Sequence, residues 1–101
     1  MITKQFLKAR PVCKTTFTVS DDAFEGNQLG LVGEFNNWNT DEPIAMTKKR
    51  NGKYSATVEL PLDQEVQFRY VAGEQWLNDA EADGQVQTPF GSANSVVSTA
   101  R

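Results

Sequence analysis

Two stretches separated by one turn constrain the fold most. In residues 54–60, Tyr54, Ala56, Val58 and Leu60 alternate with Ser55, Thr57 and Glu59; in residues 65–71, Val66, Phe68 and Tyr70 alternate with Gln67, Arg69 and Val71. A period of two puts the apolar row on one face of an extended chain and the polar row on the other. Pro61-Leu62-Asp63 between them is turn chemistry. The pair reads as two strands, each with one face committed to a core.

The same signal recurs along the chain. In residues 12–19, Cys13, Thr15, Phe17 and Val19 form the expected inward row, opposite Val12, Lys14, Thr16 and Thr18. Cys13 is then a buried small hydrophobe rather than a reactive thiol. Residues 3–8 read as an edge strand or arm, blunted by its lysines and the following Arg10-Pro11. Residues 20–28 are polar and hold Gly26-Asn27, a turn signal. A strand is expected over residues 29–35, breaking at Phe35-Asn36-Asn37-Trp38, and a short one over residues 44–49. Asn51-Gly52 is a strong hairpin signal, and Lys48-Lys49-Arg50 reads as its solvated shoulder. After the tight Ala72-Gly73-Glu74 connection come a short return strand at Gln75-Trp76-Leu77, a polar stretch over residues 78–84, an irregular one over 89–94 and a Val-rich closing strand over 95–99. About seven or eight short strands with regular turn signals and no sustained helical period call for an all-β, immunoglobulin-like antiparallel β-sandwich. No repeat, low-complexity tract or internal linker divides the 101 residues, so one domain over residues 1–101 is expected.

Composition narrows the function. A net charge of -3 offers no basic surface for nucleic acid or anionic membrane. No apolar run approaches the roughly 20 residues of a membrane span. The first residues lack the apolar core of a secretory leader, and the single cysteine can form no internal disulfide; both fit a cytoplasmic protein.

Chemistry for catalysis is sparse. There is no histidine, which removes the commonest general base and metal ligand. No phosphate-binding glycine loop and no nucleophile elbow occurs. Asp21-Asp22 and Asp79, Glu81 and Asp83 are the acidic clusters; the second lacks the later bidentate glutamate of a calcium loop, so both read as solvated loops. A sandwich of this size has little room for the cleft that a carboxylate pair would need for glycoside hydrolysis. The expectation is a protein that is not an enzyme and uses no cofactor or metal.

Surface recognition remains. Trp38 and Trp76 both fall at junctions of strand and loop, with Asn36, Asn37 and Asn39 beside the first and Gln75 and Asn78 beside the second. Such a Trp either folds back to cover one end of the core or leaves its ring face open as an apolar platform. An indole face beside amide and guanidinium donors suits a sugar ring, which has an apolar C–H face and a rim of hydroxyls.

Four segments carry a resemblance. Gly33-Glu34-Phe35-Asn36-Asn37-Trp38 resembles the "G-x-F-N-x-W" signature of the family-48 carbohydrate-binding modules, a family that includes the glycogen-binding domain of the AMP-activated protein kinase β subunit and the early-set domains of isoamylases and branching enzymes. Asn51-Gly52-Lys53-Tyr54, the stretch from Phe68-Arg69-Tyr70 through Trp76 to Asp79, and the closing stretch from Pro89 to Val97 resemble three further family segments in the same order. The hairpin departs from the family pattern in carrying Ala72 before Gly73 and in being one residue shorter. The resemblance implies an early-set β-sandwich that binds α-1,4-glucan, as glycogen- or starch-like polysaccharide or maltooligosaccharide. It implies that Trp38 and Trp76 stack on glucose units, that Arg69, Ser92 and Asn94 hydrogen-bond hydroxyls, and that Phe90 contacts the glucan curve. Its alternative implication is a protein-interaction or accessory module of an α-glucan-metabolising enzyme that no longer binds sugar. For that reading Val12, Val32 and Val71, on outward faces, are the candidate apolar patch.

Overall fold

The computed structural model describes residues 1–89 and 91–100, and in it two antiparallel sheets pack into a sandwich. The first sheet contains β1 (Ile2–Phe6), β2 (Val12–Ser20), β5 (Thr47–Lys48) and β6 (Lys53–Pro61), in the order β1-β2-β6-β5. The second contains β3 (Gly30–Gly33), β4 (Ile44–Ala45), β7 (Glu65–Ala72), β9 (Gly84–Gln87) and β10 (Ala93–Ser98), in the order β4-β3-β7-β10-β9, and β8 (Gln75–Leu77) pairs with the end of β7 beyond β10.

The alternating rows face as their sequence requires. Cys13, Phe17 and Leu60 of the first sheet are buried, as are Leu31, Val66, Phe68, Tyr70 and Val97 of the second. Phe17 meets Phe68 edge-on across the interior, with ring centres 4.9 Å apart, and Phe68 meets Tyr70 at 5.6 Å. Edge-to-face packing sets the positive rim of one ring on the negative face of the other, which stabilises the contact beyond simple burial.

Residues 44–49, expected as one strand, are two. β4 pairs with β3 in the second sheet and β5 pairs with β6 in the first, so the chain changes sheets at Met46. Met46 is buried there, and its N–H donates to the Leu29 carbonyl at 3.0 Å. The crossing residue points into the core, which explains the half-apolar pattern. At the hairpin that follows, only Gly52 has positive φ (+79°), and the Asn51 side chain accepts a bond from the Lys53 N–H instead. β9 was not foreseen: Gly-Gln-Val-Gln is four residues long with a single apolar side chain, too short a pattern to read, and its place in the sheet comes from pairing with β10.

The strand expected to reach residue 35 ends at Gly33, and a 3-10 turn over Glu34–Asn36 follows. The Asp79 reading is also corrected. Asp79 is 6 % exposed rather than solvated. It accepts the Tyr70 hydroxyl at 2.7 Å and the Glu81 N–H at 2.8 Å, because an inward tyrosine near the end of β7 needs an acceptor for its hydroxyl. Asp21 and Asp22 are exposed, as expected.

Candidate functional site

Of the candidate site residues, Arg69, Trp76 and Asn94 share the outer face of the second sheet. Register partners share a face. Val32 lies opposite Arg69, Val71 opposite Trp76, and Asn94 opposite Val86. Arg69 and Val71 are two apart on β7, so Trp76 and Arg69 look outward together. The shorter hairpin therefore preserves their common face. It turns on Gly73, whose φ of +63° lies in the left-handed region that glycine adopts without strain.

Trp76 is 45 % exposed. The Arg69 guanidinium carbon sits 5.5 Å from the centre of its ring, within range for a cation–π contact. Arg69 Nε donates to the Ala93 carbonyl at 2.9 Å, and Nη2 donates to the same oxygen. Asn78 Nδ2 is a third donor to it, at 2.9 Å, and Asn78 Oδ1 accepts the Ser95 hydroxyl at 2.8 Å. One carbonyl at the start of β10 thus ties together β7, β10 and the chain leaving β8. Sequence reasoning had no way to find Ala93, because a backbone carbonyl carries no side-chain signature.

Asn94 follows on β10. Its Nδ2 donates to Gln67 Oε1 at 2.9 Å, while the Gln67 N–H donates to Glu34 Oε1 at 2.6 Å. Gln67 and Glu34 were not singled out in the sequence; Gln67 lies in the outward row of β7 and is the signal that could have drawn attention. Ser92 is exposed, and its hydroxyl is 2.9 Å from that of Thr88. Phe90 lies outside the described residues.

Trp38 is reached from β3. Gly33 N–H donates to Asn36 Oδ1 at 3.0 Å, and Trp38 N–H donates back to the Gly33 carbonyl at 3.0 Å. Asn37 and Trp38 then take φ of +57° and +56° in succession. Asn tolerates that region, but for a bulky aromatic residue it is a strained backbone state that the surrounding bonds must hold. Gly33 is needed for a different reason: a Cβ there would lie 2.6 Å from the Gln67 carbonyl and 2.8 Å from the Phe35 ring. The "G-x-F-N-x-W" pattern is accordingly a close approach at Gly33, an amide lock at Asn36 and a left-handed pair that swings the chain at Trp38. Trp38 is half-buried, and Val32, on the outer face near it in the chain, is fully buried yet outside the main core cluster.

The three apolar candidates for a docking patch do not come together. Val12 lies on the first sheet, Val32 is inaccessible and Val71 is half-buried beside Trp76. Surface hollows of about 320, 600 and 510 Å³ are lined by neither tryptophan and by neither Arg69 nor Asn94. The candidate site is an open face. Among the described residues no group of three or more carboxylate, thiol or imidazole side chains could hold a metal ion, and no helix is long and apolar enough to cross a membrane.

Residues 12–99 match the family model described as the starch binding domain, a span that takes in β2 through β10 and every residue of this face. The chain belongs to the starch binding domain family. That family is one of carbohydrate-binding modules, which are generally non-catalytic, and no catalytic family is among the matches. No curated protein matches the chain. For a starch binding domain, an exposed indole backed by a guanidinium and bordered by amides is an arrangement that fits the flat, hydroxyl-rimmed shape of a sugar.

Proposed function

We propose that this starch binding domain binds α-1,4-glucan without catalysis, on the outer face of its second sheet. The observation that carries the reading is Trp76, 45 % exposed, with Arg69 against its ring and Asn78 and Asn94 on the neighbouring strand ends. Trp38 and Trp76 are the stacking surfaces, Asn94 and Ser92 hydrogen-bond the hydroxyls, and Arg69 lies against the Trp76 platform. Phe90 belongs to the same proposal by its place in the sequence. The order of motifs favours a family-48-like, glycogen-binding variety of the module, acting as one cytoplasmic domain. An α-glucan-metabolising enzyme is the partner such a module would serve.

Each stacked ring is worth about 1 kcal/mol beyond burial. Two rings and a few solvent-facing hydrogen bonds give weak affinity for one short oligosaccharide. A polymer presents many sites, and rebinding raises apparent affinity.

The test is tryptophan fluorescence titrated with maltoheptaose and β-cyclodextrin, on the wild type and on Trp38→Ala and Trp76→Ala after circular dichroism shows both folded. The expected result is a saturable change in the wild type, lost or strongly weakened in each variant. No change at millimolar sugar would overturn the reading and leave the accessory-module alternative.

A further inference from the structure

Within the glucan-binding reading, we propose that Arg69 is a positioning residue, acting through Trp76 rather than as a direct donor to sugar. Its guanidinium is already committed on two sides. Nε and Nη2 both donate to the Ala93 carbonyl, and the group lies 5.5 Å from the centre of the Trp76 ring. A guanidinium is a rigid plane that can bond in its own plane and stack on a ring at once. Here the in-plane bonds anchor Arg69 to the start of β10 while it supports an indole that would otherwise stand unbacked on a strand of three residues.

The anchor determines what is being positioned. Ala93 lies between Ser92 and Asn94, the two proposed hydroxyl ligands, and Asn78 donates to the same carbonyl from the chain just after Trp76. Arg69 and Asn78 thus fix the distance between the stacking ring and the segment that meets the sugar rim. Trp76 gains a preset orientation before ligand arrives, which lowers the ordering cost of binding. The guanidinium occupies one face of the ring and leaves sugar the other.

The two roles separate in lysine and methionine variants. Lysine keeps the charge and can still donate to a hydroxyl, but it cannot make two bonds to Ala93 while lying flat on a ring. Arg69→Lys and Arg69→Met are each compared with wild type for maltoheptaose affinity by calorimetry. In a Trp38→Phe background, where Trp76 is the single tryptophan, fluorescence anisotropy decay excited beyond the tyrosine absorption reads its motion without sugar. The expected result is a faster local motion of Trp76 in both variants, with unchanged circular dichroism. Affinity should fall about three- to thirtyfold in both, with lysine giving little rescue. Lysine affinity within twofold of wild type, or an unaltered anisotropy decay in both variants, would overturn the proposal. If the wild type binds no glucan, the proposed function fails; the decay still reports on its own whether Arg69 holds Trp76.

Discussion

Tyr70 and Asp79 join the core to the loop behind the candidate face: the tyrosine hydroxyl donates to the Asp79 carboxylate at 2.7 Å, with both residues buried. Asp79 N–H in turn donates to Ser95 Oγ at 2.9 Å, and Ser95 donates to Asn78. The buried bond is therefore continuous with the Asn78–Ala93 contact beside Trp76.

Burial, and then the hydrogen bond and negative charge of Asp79, push the Tyr70 phenol well above its usual range. The folded state holds that proton more tightly than the unfolded chain. Its contribution is complete below the unfolded tyrosine value of about 10 and is lost as pH rises above it. Stability should fall above pH 10 by about 1.4 kcal/mol per pH unit for this group. Urea unfolding between pH 8 and 11 measures the slope; Tyr70→Phe should reduce it and cost about 1–3 kcal/mol at neutral pH.

The acid side has a different origin. Burial opposes ionisation of Asp83, but bonds from Lys4 Nζ and the Ser98 N–H, both at 2.7 Å, outweigh it and hold the carboxyl below its usual value. A lowered value gives stability that is present above the unfolded carboxylate range, near 4, and is lost as pH falls through the folded value. Asp83→Asn should flatten the stability profile below about pH 4. An unchanged acid limb would show that this ion pair between β1 and the residue before β9 is inert.

Gly33 can be tested by a single methyl group. Its Cβ would meet the backbone oxygen of Gln67 at 2.6 Å, so Gly33→Ala must push β3 from β7 or displace Phe35. Overpacking of this kind costs about 1–3 kcal/mol. Thermal unfolding gives the loss, and the Trp38 emission maximum should move with it, since Trp38 N–H is bonded to the Gly33 carbonyl.

Trp76 should behave oppositely. Because its ring is 45 % exposed, Trp76→Ala should change stability by no more than about 1 kcal/mol, chiefly the lost cation contact. The same change should weaken maltoheptaose binding at least about tenfold. A large stability loss would assign Trp76 to the core instead.

The alternation in β2, β6 and β7 was legible because one face of each strand is buried, and burial imposes a period of two. Where burial did not impose it, the sequence was mute: β9 is exposed, and its position is set by β10. Residues 44–49 misled because apolar content does not say which sheet a residue serves, and Met46 stands between both. Asp79 misled because a carboxylate's burial depends on a donor nine residues away in the chain, the Tyr70 hydroxyl. For the candidate site, parity put Arg69 in the outward row of β7, but the shorter hairpin left the face of Trp76 open until the pairing of Val71 with Trp76 fixed it, and the carbonyl that fastens both to β10 has no side-chain signature.

The most direct test of the central claim follows the two indole N–H signals and the Arg69 Nε–H signal by NMR during a maltoheptaose titration. The three should shift along one saturation curve, together with the Asn94 side-chain amide, while the backbone signals of β2 and β6 stay fixed. Shifts confined to the first sheet, or no shift at millimolar sugar, would contradict the claim.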